Sequence, residues 1–139
     1  MTAKLKVLFV CEHNSARSQI AEAFLKALAP ERFEVKSAGI DPGTLNPLAV
    51  KVMEEAGIDI SGNKTKSVDD LFAGGERFDI IVTVCDPAAM ACPVFPGSQV
   101  INWSFDDPSK VTGTESEKLA KVRNIRDEIR KRLLKWIQE

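Results

Sequence analysis

Leu5-Lys6-Val7-Leu8-Phe9-Val10-Cys11-Glu12-His13-Asn14-Ser15-Ala16-Arg17-Ser18 decides how this chain is read. Its first six residues are an apolar, β-prone run of the kind found in a strand covered on both faces. Just beyond it, Ile20, Ala23, Phe24, Ala27 and Leu28 recur at helical spacing, and Pro30 closes the pattern. Strand, loop and helix therefore follow one another without a linker. A loop so placed faces a helix N-terminus, whose open N–H groups and positive dipole end attract anions. Cys11 opens the loop and Arg17 closes it. Curled with both side chains toward its centre, residues 11–18 would surround an oxyanion with amides and a bidentate guanidinium. The same field favours the thiolate, the nucleophilic form of cysteine. Ser18 can donate a hydrogen bond to that sulfur, and Asn14 can hold the loop by side-chain bonds to its backbone.

Working outward, Phe33 to Ser37 reads as a second strand, with turns at Ala38-Gly39 and Asp41-Pro42-Gly43. Asn46-Pro47 is an N-cap followed by proline at the first helical position. Leu48, Val52, Met53 and Ala56 then share one helical face, which Gly57 ends. Residues 58–76 read as loop, with a short helix around Val68–Phe72. Phe78 to Val84 is the most strand-like run, and Gln99 to Trp103 is a shorter strand. Asp86-Pro87 looks like a helix start, and Ala88 to Ala91 favours a short helix between Cys85 and Cys92. From Glu115 to Gln138 a long helix carries Val122, Ile125, Ile129, Leu133 and Trp136 at its core spacing. Glu115 and Glu117 open it and Lys131, Arg132 and Lys135 close it, as the helix dipole prefers. Strands alternating with helices predict an α/β fold, a single domain over residues 1–139 with a small parallel sheet of about four strands flanked by helices.

Composition narrows the function classes. The 139 residues carry 19 Lys and Arg against 20 Asp and Glu, a net charge of −1, so no concentrated basic face is available for nucleic acid. No apolar run approaches the roughly 18 residues of a membrane span. An odd count of 3 cysteines suits a reducing cytoplasm better than a secreted disulfide framework. A single His removes most Ser-His-Asp and multi-histidine metal schemes, and His13 reads as a loop residue beside the anion site. Lacking an obvious extra apolar stripe, the chain is expected to be a monomer.

Two further features could carry chemistry. Cys85 and Cys92 follow the Phe78–Val84 strand at a spacing that matches neither a zinc knuckle nor a C-x-x-C redox pair. Taken alone they read equally well as small buried hydrophobes. Phe105-Asp106-Asp107-Pro108 follows the last strand, where strand ends converge on the ligand crevice of a parallel sheet. A carboxylate there could protonate a leaving oxygen opposite Cys11, although Asp-Pro by itself is a common turn.

Cys11-x5-Arg17-Ser18 after a strand, with Asp107-Pro108 late in the chain, resembles the low-molecular-weight protein tyrosine phosphatase fold. Val10-Cys11, Asn14-Ser15, Arg17-Ser18-Gln19, Ala21-Glu22, Ser37-Ala38-Gly39, Cys85, Cys92-Pro93 and Trp103 to Pro108 are similar to the arsenate reductases built on that fold, in their thioredoxin-coupled branch. The resemblance covers essentially the whole chain. Phosphatases of the fold carry tyrosines after their Asp-Pro; this chain has Ser109-Lys110 and no Tyr. The resemblance implies arsenate bound by residues Cys11, Glu12, His13, Asn14, Ser15, Ala16, Arg17 and Ser18, with phosphate or sulfate as competing oxyanions. It implies attack by Cys11, proton donation by Asp107, and a disulfide cascade from Cys11–Cys85 to Cys85–Cys92 that thioredoxin reduces. No redox cofactor would be bound, since the electrons come from thiols. Some such reductases bind potassium near the loop, and Asn14, Glu22, Ser37 and Thr65 match that ligand set, with Ser67, Lys64 and Lys66 as departures around it. A phosphatase acting on phosphotyrosine or small phosphoesters is the rival enzyme, and an oxyanion- or metal-responsive binding protein is the rival outside enzymes.

Overall fold

Four strands form one parallel sheet in the order β2-β1-β3-β4. They are β1 (Leu5–Cys11), β2 (Phe33–Gly39), β3 (Ile80–Thr83) and β4 (Gln99–Asn102). The helices are α1 (Arg17–Leu28), α2 (Pro47–Glu55), α3 (Val68–Ala73) and α4 (Glu115–Ile137). The computed structural model describes residues 3–84 and 97–139. Cys85, Cys92 and the helix expected between them lie outside the described residues.

Val7, Leu8, Phe9 and Val10 have no exposed surface, as a central strand covered on both faces requires. Full burial of such a side chain is worth roughly 1.5–3 kcal/mol, so the strand that carries Cys11 is firmly anchored. β1 runs one residue further than the apolar stretch suggests. Cys11 itself pairs with Gly39 of β2, which makes the cysteine the last strand residue rather than the first of the loop. β3 is shorter than Phe78–Val84, yet Phe78 and Val84 are still buried at its ends.

The face of α1 differs from the one its spacing suggests. Ile20, Ala21, Phe24 and Leu25 are buried, whereas Ala27 is exposed. Its first turn instead buries the polar Arg17, Ser18, Gln19 and Glu22, because that end of the helix closes the loop. Asn46 caps α2 as expected, its side chain accepting the Leu48 N–H at 2.9 Å. The helix stops at Glu55, leaving Ala56 exposed, and Gly57 takes the left-handed φ of 83° that a helix exit favours. α4 opens with a reciprocal capping box between Thr114 and Glu117 and packs Val122, Ile125, Ile129 and Leu133 inward against α1 and α2. Trp103 joins that core, tilted against Phe9 and edge-on to Trp136. Among the described residues, no helix is long and apolar enough to cross a membrane.

The strand order places the chain reversal between β1 and β3. In open parallel sheets that is where the crevice beyond the strand ends opens to ligands, and Cys11 stands at this point on β1.

Candidate active site

The loop between β1 and α1 is fastened by the segment that follows β2. Ile40, Asp41 and Gly43 donate their N–H groups to the carbonyls of Cys11, Glu12 and His13 at 3.1, 2.8 and 3.0 Å. Gly39 allows the close approach. A Cβ there would lie 2.8 Å from the Asn14 nitrogen and 2.8 Å from the His13 carbonyl carbon, closer than backbone atoms tolerate. Asn14 turns the chain with φ 55°, a left-handed conformation that asparagine adopts more readily than most residues.

Cys11 is 3% exposed, and its sulfur accepts the Asn14 N–H at 3.1 Å and lies 2.9 Å from Ser18 Oγ. Donor and acceptor along this row follow from chemistry. Lys66 N–H can only donate, and it meets Asn14 Oδ1 at 3.0 Å, as does Gln19 Nε2 at 3.1 Å. Asn14 Nδ2 therefore faces Ser18 Oγ at 2.8 Å and Ser37 Oγ at 3.0 Å, donating to both. Ser18, having accepted from Asn14, has its hydroxyl hydrogen free for the sulfur. Ser37 passes its own to the Glu22 carboxylate. The row thus points its last donor, the Ser18 hydroxyl, at the Cys11 sulfur.

The cap of α1 contributes by what it lacks. Ala16 makes no side-chain bond to the first turn, which leaves the amides of Arg17, Ser18 and Gln19 without an acceptor among the described residues. Arg17 is 8% exposed. It donates from Nη1 to the Phe105 carbonyl at 3.1 Å and sets Nη2 3.6 Å from Asp107 Oδ2. Its other N–H groups have no acceptor among the described residues. A buried guanidinium with donors to spare, beside open helix amides and a buried sulfur, is a receptor for a tetrahedral oxyanion.

Asp107 is brought to this receptor and Asp106 is not. Pro108 is buried and Asp106 exposed, so the chain turns the second aspartate inward. Asp107 Oδ1 accepts the Ser109 N–H at 2.9 Å and its hydroxyl at 2.8 Å, capping the 3-10 turn Pro108–Lys110. Burial raises the Asp107 carboxyl pKa, but the two Ser109 bonds, then Arg17 and Lys110, outweigh it and hold the group below its ordinary value.

His13 is exposed, its Nδ1 2.7 Å from the Asp41 carbonyl oxygen, which fixes the outer rim of the loop. Asn14 holds the loop through Ser18, Ser37 and the 66 backbone rather than through the loop's own amides as its spacing suggests. Of the four residues matched to potassium, Asn14, Glu22 and Ser37 are joined by hydrogen bonds, whereas Thr65 donates to the Gly43 carbonyl at 2.7 Å. Gly39, Gln19, Lys66, the Phe105 carbonyl and Ser109 are additional contributors. Gly39 and Gln19 fall within the quoted family-like stretches, but nothing local in the sequence announces their contacts.

Residues 6–139 match the family model described as low molecular weight phosphotyrosine protein phosphatase. The arsenate reductase of Halalkalibacterium halodurans is 43% identical over 131 residues, 94% of this chain and 93% of that protein. A solved arsenate reductase in its phosphate-binding state superposes with a TM-score of 0.78 at 31% identity, covering 98% of both chains. The thioredoxin-dependent arsenate reductase of Corynebacterium glutamicum gives a TM-score of 0.67 at 32% identity, covering 99% of this chain and 63% of that one. Likeness in sequence and in fold over nearly the whole length leaves one assignment: the chain belongs to the low molecular weight phosphotyrosine protein phosphatase family, in its arsenate reductase branch.

Proposed function

We infer that this chain reduces arsenate to arsenite with electrons from thioredoxin. The observation that carries the reading is the buried Cys11 sulfur, hydrogen-bonded by Ser18 and the Asn14 amide beside Arg17 and the open start of α1. Arsenate, a tetrahedral dianion like phosphate, docks on those amides and on Arg17. The Cys11 thiolate attacks arsenic, and an As–O bond breaks as Asp107 delivers a proton, so that water leaves. The dianion supplies what Asp107 lacks in the free protein. Negative charge close by raises a carboxyl pKa, so the oxyanion promotes protonation of the group that must then donate.

Cys85 next attacks the Cys11 sulfur. The As–S bond breaks, its electron pair stays on arsenic, and As(V) leaves as arsenite. A Cys11–Cys85 disulfide remains. Cys92 attacks Cys85, freeing Cys11 and forming Cys85–Cys92, which the thioredoxin dithiol reduces by exchange. Per turnover, one arsenate and one dithiol give one arsenite, one disulfide and one water. A cytoplasmic setting belongs to this proposal, since the cascade needs thiols kept reduced.

The test is a coupled assay with thioredoxin, thioredoxin reductase and NADPH. Arsenate-dependent NADPH oxidation that is lost in Cys11→Ser, Cys85→Ser and Cys92→Ser supports the cascade. Hydrolysis of p-nitrophenyl phosphate that survives Cys85→Ser/Cys92→Ser, with no arsenate-dependent oxidation in the wild type, would assign the phosphatase reaction instead.

A further inference from the structure

Glu22 is a buried carboxylate, 7% exposed, at the far end of the row that begins at the Cys11 sulfur. Ser37 donates to its Oε1, Asn14 donates to Ser37, and the same Asn14 amide group donates to Ser18 against the sulfur. Ser37, having accepted from Asn14, ends the row by donating to Glu22 Oε1. A buried anion of this kind needs a cation.

Two ammonium groups of the chain already stand there. Lys26 reaches Oε2 at 2.6 Å from the next turn of α1, with its side chain about half exposed. Lys66 places Nζ 3.8 Å from Oε1, the oxygen that Ser37 uses, and donates to the Lys64 carbonyl at 3.2 Å. The Lys66 ammonium thus has a carboxylate and a backbone carbonyl around it, the hard oxygen donors that a free alkali cation would choose. Lys66 is the more enclosed of the two, and burial holds its pKa below the usual lysine value although Glu22 pulls it up. Thr65, the remaining residue of the matched potassium set, donates its hydroxyl hydrogen to the Gly43 carbonyl. Lys36, which is paired with Glu76, also lies close enough to act on Lys66. An added monovalent ion would enter a place where Lys26 and Lys66 already meet one carboxylate.

We propose that the Lys66 ammonium takes, in this chain, the place a free potassium ion would take beside Glu22, and so serves as a positioning residue for the Cys11 loop. Its backbone N–H fastens Asn14 Oδ1 directly, and its side chain fixes the charge at the other end of the same row. One residue therefore holds the row twice, and only the second hold is lost when the side chain is changed. The inference stands on the loop's geometry and is independent of which oxyanion is turned over.

Thermal denaturation and the iodoacetamide reaction of Cys11 test it, in a Cys85→Ser/Cys92→Ser background and at matched ionic strength in KCl, NaCl or choline chloride. With Lys66 intact, Tm and the Cys11 alkylation rate are the same in all three salts. With Lys66→Met, both fall in choline chloride, the alkylation by about 3- to 10-fold, a coupling of the size packed networks carry. Potassium then recovers both, and Lys66→Arg behaves as the parent does in every salt. Lys66→Gln, which keeps a polar end, gives the same salt response if Lys66→Met fails to fold. A parent protein specifically stabilised by potassium overturns the proposal. So does a Lys66→Met or Lys66→Gln variant that equals its parent in choline chloride, or one that falls without any recovery in potassium.

Discussion

The two segments that meet across the oxyanion site are held in opposite ways. Residues 11–18 are fixed by a buried row: the Asn14 side chain alone makes four hydrogen bonds, to Ser18, Ser37, Gln19 and Lys66. Among the described residues, the segment around Asp107 is fixed by little. Its carboxylate is 25% exposed, tied to its own turn through Ser109 and to the loop through Arg17 alone. In the proposed reaction the nucleophile Cys11 would thus be set before substrate arrives, while the acid Asp107 would depend on a guanidinium that the substrate also uses. Preorganised donors at the nucleophile save reorganisation during the reaction. In the mechanism proposed above, the acid by contrast would gain its proton from oxyanion binding itself.

Asp107→Asn breaks the weaker side most severely. Single-turnover formation of the Cys11 intermediate falls by about 10²–10⁴-fold, the usual contribution of a general acid, while protection of Cys11 by phosphate persists. Asp106→Asn stays near wild type, because its side chain is exposed and absent from the Arg17 contacts. A reversal of the two would show that the turn presents the other aspartate during reaction.

Gly39→Ala strikes the stronger side. The new methyl meets the Asn14 nitrogen at 2.8 Å, so the loop must move, and misplacing a reacting group by about an ångström costs about 10²-fold. Tm should fall too, by the equivalent of about 1–3 kcal/mol for overpacking. Normal activity in this variant would show that the loop is softer than its hydrogen bonds suggest.

Ser18→Ala removes one donor from the sulfur and leaves Asn14 Nδ2 one acceptor short. Alkylation of Cys11 at neutral pH should slow by about tenfold, the range expected for a hydrogen bond to a charged group. An unchanged rate would mean that the loop amides alone sustain the thiolate.

Ser109→Ala is the mildest of the set. Ser109's hydroxyl helps hold the Asp107 carboxyl below its ordinary value by bonding the charged form. Without that bond the pKa rises, so the alkaline limb of the kcat/KM profile moves to higher pH, and the rate at neutral pH changes by only about twofold to threefold. The linked stability has the same sign. A depressed carboxyl stabilises the fold above its unfolded pKa and loses that contribution as pH falls through the folded value. Ser109→Ala should therefore be less acid-sensitive than wild type in the range just below pH 3.8, the ordinary aspartate value.

The better-held segment was also the more legible one. Leu5 to Ser18 reveals strand, cysteine, arginine and helix start because all four lie within one local pattern whose period changes at Cys11. The strand lengths and the α1 face were less accurate. Arg17, Ser18, Gln19 and Glu22 are buried for the site's sake, against the apolar periodicity that placed Ala27 inside. What could not be read locally are contacts between distant positions, such as Gly39 under Asn14, Lys66 N–H on Asn14, and Lys66 Nζ beside Glu22. Asp107 was separable from Asp106 only by the resemblance to the family, since either aspartate before a turn would look alike in sequence. Burial and the Arg17 contact now distinguish them physically.

The central claim is that residues 11–18 are an oxyanion receptor assembled around a nucleophilic Cys11 before substrate binds. The most direct measurement is the Cys11 alkylation rate in Cys85→Ser/Cys92→Ser protein as phosphate is titrated, read by mass spectrometry, alongside the same protein carrying Arg17→Met. The account predicts rapid alkylation without phosphate, saturable protection as phosphate fills the loop, and loss of that protection in the arginine variant. Alkylation that is slow in the absence of phosphate, or equally fast at every phosphate concentration, would contradict it.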